Sequence, residues 1–159
     1  MIKYCLDKWN ENHKRLEEVL ASDTTLNSCD YQYLVELVVE HILNGCEGVC
    51  CGKWDKEHIT RVDDGDYQGT LLFLIPKKTY QPSEYEYLMT YAGYGSCSGC
   101  DALKAIQEWG EKPPEDWQIE DFMALCKDLV TNMVKPYNNG WRYEEEFETV
   151  TMEAHDDRT

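Results

Sequence analysis

Apolar side chains near the start of the chain recur at three- and four-residue steps, the pattern of an amphipathic helix over about 2–21. A second stripe of this kind covers 34–42, where Ser28 or Asp30 can cap the helix and Gly45 ends it. The spacing therefore predicts two N-terminal helices.

The middle of the chain has the pattern of β-strands. An unbroken apolar run over 69–75, closed by Pro76, predicts a central strand buried on both faces. Alternating aromatic and polar residues over 84–91 predict another strand, and a weaker alternation over 59–62 leads into a turn signal at 63–66. We expect three antiparallel strands from these segments.

Helical spacing returns after the strands. It predicts a short helix over 101–109 and a longer one that Asp116 caps and that stops near Pro136. The expected fold class is α+β: two N-terminal helices, a small, mainly antiparallel sheet of three to four strands, and two further helices packed on it. The length of 159 residues suits one domain. Its expected parts are helical 1–45, a Cys/Gly loop 46–52, the sheet 56–94, a Cys-x-x-Cys turn 95–101, helices 101–136 and an acidic segment 137–159.

Acidic residues outnumber basic ones by 31 to 15, so the formal net charge is -16 at pH 7. Duplex DNA and anionic membrane surfaces are both bound largely through Lys and Arg, so direct binding to either is disfavoured. The first residues lack the apolar core of a signal peptide, and no apolar run reaches the roughly 20 residues that span a bilayer. We expect a cytoplasmic protein.

Eight cysteines point to thiol, metal or redox chemistry. Without a secretory signal, a disulfide framework is less well supported than these alternatives. Cys5, Cys29 and Cys126 lie on or beside helical stripes, where a lone cysteine packs as a small apolar side chain. The remaining five lie in two glycine-bearing loops: Cys46, Cys50, Cys51, Cys97 and Cys100.

The segment 94–101, Tyr-Gly-Ser-Cys-Ser-Gly-Cys-Asp, lies between a predicted strand and a predicted helix. Cys97 and Cys100 form a Cys-x-x-Cys pair, which suits thiol–disulfide exchange at a helix N-terminus. The same pair supplies half of a tetrahedral zinc site, with two cysteines of the first loop as the other half. The candidate zinc ligands are therefore Cys97, Cys100, Cys46, Cys50 and Cys51.

Two further interpretations of this segment need no reactive thiol. Gly93, Gly95 and Gly99 can leave backbone amides free to hold a phosphate at the start of the helix. Alternatively, Gly95, Gly99 and Asp101 serve a structural turn, in which Ser96 or Ser98 caps the helix and both thiols pack underneath. All four interpretations stay open at this point, and zinc is the cofactor that they name.

The acidic segment 137–159 combines carboxylates with aromatic side chains. Such runs are usually solvated faces, but they also attract basic protein surfaces and imitate phosphates. Aromatic residues within a polar rim are typical anchors of binding interfaces. We predict partner binding by Trp141, Tyr143, Glu144, Glu145, Glu146, Phe147 and Glu148.

The block at 94–101, read with the apolar run before it and the helix after it, resembles a group of small uncharacterised bacteriophage proteins. The resemblance covers about 66–136 and implies a phage setting without naming a catalytic residue. Segment 139–147 is similar, more loosely, to acidic phage anti-CRISPR proteins, which imitate DNA and block the DNA-binding surface of a nuclease.

The sequence contains no hydrolase nucleophile elbow, no His-Glu-x-x-His motif and no Walker loop. The leading hypothesis is a non-enzymatic phage protein that binds and inhibits a host nucleic-acid-associated defence protein through an acidic surface, by DNA mimicry. Its partner would present a basic surface in the host bacterial cytosol. The alternative is a zinc-binding or thiol-active protein centred on Cys97 and Cys100.

Overall fold

The computed structural model describes residues 2–45 and 52–135 of the chain. Its fold is α+β, with helices before and after a three-stranded antiparallel sheet, which confirms the expected class. In chain order the elements are α1 (Ile2–Ala21), α2 (Tyr31–Val38), a π-helical turn (Val39–Leu43), β1 (Thr60–Asp63), β2 (Gly69–Pro76), β3 (Tyr87–Tyr94), α3 (Ala102–Ile106) and α4 (Asp116–Thr131). Short 3₁₀ turns lie at Leu26–Ser28 and Lys56–His58. The fourth strand that the sequence allows would be an edge strand in the acidic segment 137–159, which lies outside the described residues.

The ends of the helices follow local chemistry, with three differences from the expected limits. Asp30 caps α2 by accepting a hydrogen bond from the Tyr33 amide. The expected cap Asp116 is instead the first residue of α4, because Glu115 and Gln118 form a reciprocal capping box before it. Helix α4 ends at Thr131 rather than near Pro136, and α3 ends at Ile106 rather than at Trp109.

The sheet has the order β1-β2-β3, with one covered face. In β2 the side chains of Leu71, Phe73 and Ile75 are buried, whereas Leu72 and Leu74 are half-buried. The expectation that this strand is buried on both faces is therefore wrong. An apolar run is compatible with one or two covered faces, and in the described part of the chain the core lies on one.

One apolar cluster joins the inner face of the sheet to the helices. The buried Thr90 hydroxyl in β3 donates a hydrogen bond of 2.6 Å to the Leu129 carbonyl oxygen in α4. Met89 and Val134 exchange two backbone hydrogen bonds, so the chain after α4 returns to the free edge of β3. None of the helices in the described ranges has the length and apolar character needed to cross a membrane.

Candidate functional site

Cys97 and Cys100 form an exposed pair of thiols at the end of the sheet. The Cys100 amide donates a hydrogen bond of 3.1 Å to the Cys97 carbonyl oxygen, which closes a β-turn. Both side chains are exposed free thiols, and their Sγ atoms lie 3.0 Å apart. The expectation that these thiols pack beneath a structural turn is therefore wrong, because the turn presents both of them to solvent.

The Cys100 sulfur contacts Cys97 at three points. It accepts a hydrogen bond from the Cys97 amide at 3.3 Å, lies 3.0 Å from the Cys97 sulfur, where either thiol can be the donor, and as a thiol donates to the Cys97 carbonyl oxygen at 3.4 Å. The hydrogen bonds that the ionised Cys100 sulfur accepts from the Cys97 thiol and amide lower the pKa of Cys100 below its usual 9.0, the side-chain bond contributing most. The hydrogen bonds that lower this pKa lie within the turn, and the lowered pKa increases the fraction of thiolate, which is the nucleophilic form.

Asp101 holds the turn against α3. Its buried carboxylate Oδ1 accepts hydrogen bonds from the amides of Leu103 and Lys104, at 3.0 and 3.2 Å. Asp101 is therefore the N-cap residue of this helix. Ser96 or Ser98, which we expected as the cap, does not have this role, because Ser96 lies before the turn and Ser98 lies within it, away from the first residue of α3.

The Asp101 carboxylate also binds Gly95, which precedes the turn, and Tyr31, at the start of α2. Its Oδ2 accepts the Gly95 amide at 3.0 Å, and its Oδ1 accepts the Tyr31 hydroxyl at 2.8 Å. The Lys104 ammonium adds a hydrogen bond of 3.0 Å to the Gly95 carbonyl oxygen. The Gly95 amide is thus engaged by a carboxylate, which counts against the phosphate-binding interpretation. Nothing in the local spacing pointed to Tyr31 or Lys104 as residues of the site.

The two glycines of the turn differ in what they allow. Neither has a positive φ; within 2–45 and 52–135 the glycines that do are Gly45, Gly52 and Gly110. A Cβ added to Gly95 would lie 2.5 Å from both the carbonyl oxygen and the Sγ atom of Cys100. At Gly99 the nearest contact would be the Cys97 sulfur, at 3.9 Å. Close approach therefore requires glycine at 95 but not at 99.

The other described cysteines are packed. Cys5 and Cys126 are buried and Cys29 is half-buried, as expected from their helical positions. Burial is the main cause that raises the pKa of each of these thiols to about 12. They are therefore poor nucleophiles beside Cys100.

The zinc interpretation also needs residues of the first loop. Cys46, Cys50 and Cys51 lie outside the described residues. Asn44, which precedes that loop, exchanges two hydrogen bonds with the backbone of Trp54, which follows it. In the described ranges, no group of three or more His, Cys, Asp or Glu side chains is arranged to hold a metal ion.

The flanks of the first loop and the thiol turn lie at opposite ends of the fold. Trp54, beside the first loop, pairs with Lys77, which directly follows the last residue of β2. The thiol turn follows Tyr94 of β3, which pairs with Gly69, the first residue of β2. The seven residue steps of β2 therefore separate the flanks of the first loop from the thiol turn by about 24 Å. The helical segment from Tyr31, which contacts Asp101 beside the turn, to Asn44, which precedes the loop, gives a second estimate of this separation, about 20 Å.

An acidic hairpin lies at the same end of the sheet as the thiols. The Tyr94 hydroxyl, just before the turn, donates a hydrogen bond of 2.6 Å to Asp63 Oδ1. This bond, together with the charges of Asp63, Asp64 and Asp66, raises the pKa of Tyr94 to about 12. The connection links the thiol turn to the loop between β1 and β2.

The predicted partner-binding residues 141–148 lie outside the described residues. A different acidic feature is present between α1 and α4, where a groove of about 540 Å³ is bordered by four exposed carboxylates. Its other lining residues are Ala21, Ile119 and Met123. The carboxylates are those of Glu17, Glu18, Asp116 and Glu120.

Comparisons of the chain with protein-family models, with curated proteins and with solved structures gave no match.

Proposed function

We propose that this protein is a thiol–disulfide exchange protein in which Cys97 and Cys100 alternate between a dithiol and a disulfide. The observation that carries the proposal is the 3.0 Å separation of two exposed sulfur atoms within one turn. A disulfide has an S–S bond of about 2.05 Å, so closure needs a movement of only about 1 Å. Because the turn already holds the two cysteines close together, forming the disulfide costs little chain entropy.

The exchange reaction uses the two cysteines in sequence. The Cys100 thiolate attacks one sulfur of a substrate disulfide, and the S–S bond breaks to release the first substrate thiolate. Cys97 then loses its proton to solvent or to that thiolate and attacks the Cys100 sulfur of the mixed disulfide. The second substrate thiolate leaves, the substrate has gained two electrons, and Cys97 and Cys100 share a disulfide.

Two further observations support exchange over a shared zinc site. The described flanks of the first loop lie about 20 Å or more from the end of the fold that carries the turn, by the lengths of strand and helix between them. Cys5 and Cys126 are buried, which shields these thiols from dissolved oxidants. Both features favour a pair that reacts by itself.

The test is a single-turnover reaction of the reduced protein with 2-hydroxyethyl disulfide, followed by alkylation and peptide mass analysis. We expect a Cys97–Cys100 disulfide in the unmodified protein and a stable mixed disulfide on Cys100 in the Cys97→Ser variant. Cys100→Ser should react at least tenfold more slowly, because the activated thiol is missing. Half-buried Cys29 serves as the internal control.

The rate comparison decides the outcome. The proposal fails if the pair reacts no faster than the same two cysteines in a synthetic 94–101 peptide. It also fails if the unmodified protein stops at a mixed disulfide, since Cys97 would then not resolve it.

A second candidate function is the binding of a basic protein, the hypothesis that the net charge of -16 first suggested. The groove between α1 and α4 favours it, because its carboxylate rim surrounds apolar side chains and so combines long-range attraction with an apolar contact. In the phage setting that the sequence resemblance implies, the partner is a host defence protein that acts on nucleic acid.

This second proposal is tested by capture from host lysate at low and high salt with two charge-reversal variants. One carries Glu17→Lys, Glu18→Lys and Glu120→Lys, and the other carries Glu144→Lys, Glu145→Lys, Glu146→Lys and Glu148→Lys. Loss of a salt-sensitive partner in the first supports the groove, and loss in the second supports the C-terminal segment. Retention of the same proteins by both variants at both salt levels refutes acidic partner binding.

A further inference from the structure

We infer that the Cys97–Cys100 pair acts preferentially on cationic disulfides, those whose sulfur atoms are flanked by positive charge, rather than on anionic ones. The inference rests on the proposed exchange function and concerns its substrate class. Its basis is the placement of the acidic hairpin beside the thiol turn.

The first step of the argument is geometric. Tyr94, the last residue of β3, pairs with Gly69 of β2, which has no side chain at this position. The Tyr94 hydroxyl reaches past this glycine to Asp63 in β1 and donates its hydrogen bond of 2.6 Å there. The end of β1 is therefore fastened to the residue from which the thiol turn begins.

The second step concerns charge. Asp63, Asp64 and Asp66 are exposed and follow one another closely in the hairpin loop. The Thr70 amide holds Asp64 Oδ1 at 2.7 Å, so this carboxylate has a defined position. On the other side of the turn, the ammonium group of Lys104 is bound to the Gly95 carbonyl oxygen at 3.0 Å. The described cations nearby are Lys104 and Arg61; the Tyr94 hydrogen bond and, to a smaller extent, the Arg61 charge lower the pKa of Asp63. Two cations beside three carboxylates leave the local charge negative.

The third step is the size of the effect. Two unit charges about 8 Å apart in water attract by enough to change a rate about twofold, and salt reduces this within a screening length of about 8 Å. Each hairpin carboxylate attracts a cationic disulfide and so raises its rate of reaction, whereas it repels an anionic disulfide and lowers that rate. The overall net charge of -16 acts in the same direction.

The experiment measures oxidation rates of the reduced protein by cystamine, 2-hydroxyethyl disulfide and glutathione disulfide, which are cationic, neutral and anionic. Each rate is divided by the rate of the same disulfide with dithiothreitol, which removes differences in intrinsic reactivity. We expect cystamine to exceed glutathione disulfide by about tenfold at low salt, and by less as salt is added.

Local and overall charge are separated by two variants that remove equal charge. Asp64→Asn with Asp66→Asn keeps an oxygen acceptor for the Thr70 amide and should lower the cationic preference about threefold. Glu57→Gln with Glu84→Gln, which are exposed and lie near the opposite end of the sheet from the thiol turn, should change it little. Equal effects of the two variants, or no preference in the unmodified protein, overturn the inference.

The neutral 2-hydroxyethyl disulfide distinguishes a failure of the substrate inference from a failure of the exchange function. If it oxidises the pair at a normal rate while no charge preference is seen, exchange stands and the substrate inference fails. If none of the three disulfides oxidises the pair, the exchange function itself fails.

Discussion

The Tyr31 hydroxyl donates a hydrogen bond of 2.8 Å to Asp101 Oδ1, although the two residues are 70 positions apart in the chain. Both residues are buried, and the Leu103 amide donates a further bond to the Tyr31 oxygen. Burial is the main cause that raises the pKa of Tyr31, so the hydroxyl stays protonated and remains a donor. The start of α2 thereby fastens the residue that caps α3 and ends the thiol turn.

Loss of this bond should destabilise the protein. Tyr31→Phe is expected to cost about 1–2 kcal/mol, because the buried Asp101 carboxylate loses one of its hydrogen-bond donors and the Leu103 amide loses one of its two acceptors. Asp101→Ala should cost more, about 2–4 kcal/mol, since it also removes the N-cap. Urea unfolding monitored by circular dichroism measures both changes. The matched control is Tyr33→Phe, which loses a less buried bond to Asp23 and should cost less than Tyr31→Phe.

The thiol chemistry should depend on pH through Cys100. Because its pKa lies below 9.0 in the folded protein, its alkylation rate should reach a plateau at lower pH than that of an unfolded reference. The thiolate is favoured by folding, so this contribution to stability is present above the unfolded pKa and is lost as pH falls through the folded one.

Substitution of Cys97 identifies the source of that shift. Cys97→Ala removes the side-chain donor and should move the pKa of Cys100 upwards, whereas Cys97→Ser keeps a donor and should move it less. The rate of iodoacetamide modification of the Cys100 peptide as a function of pH measures this. Identical profiles for the two variants would contradict a hydrogen-bond origin.

The two glycines of the turn should respond differently to alanine. Gly95→Ala is expected to destabilise by about 1–3 kcal/mol, because its Cβ would lie 2.5 Å from the Cys100 carbonyl oxygen. Gly99→Ala should be neutral or slightly stabilising, since neither space nor a positive φ requires glycine there. Thermal unfolding of the two variants gives the comparison, and equal losses would show that the turn has a different conformation.

Metal removal separates exchange from zinc binding. Under the exchange proposal, a chelator should leave both the melting temperature and the rate of Cys97–Cys100 oxidation unchanged. Zinc that holds the fold would instead make melting fall sharply, because the binding energy of a structural site is folding energy. Metal analysis of the protein purified under reducing conditions accompanies the measurement, and about one zinc per chain with a lowered melting point would refute the two-thiol proposal.

The sequence by itself determined those features that depend on neighbouring residues. The apolar period of α1 predicted its limits over 2–21, and the Asp30 cap and the three antiparallel strands also follow from local patterns. The spacing of Cys97 and Cys100 identified the candidate pair. In each case the physical cause, a helical period, a cap or a short turn, acts within a few residues.

Only the tertiary structure decided which residue caps α3 and which face of β2 is covered. The sequence suggested Ser96 or Ser98 as the cap of α3, whereas the cap is Asp101, whose buried carboxylate accepts hydrogen bonds from the distant Tyr31 hydroxyl and from the Gly95 amide. Whether the second face of β2 is covered depends on where the helices pack, which an apolar run does not encode. Contacts across 70 positions follow from the packing of whole elements, and no local spacing specifies them.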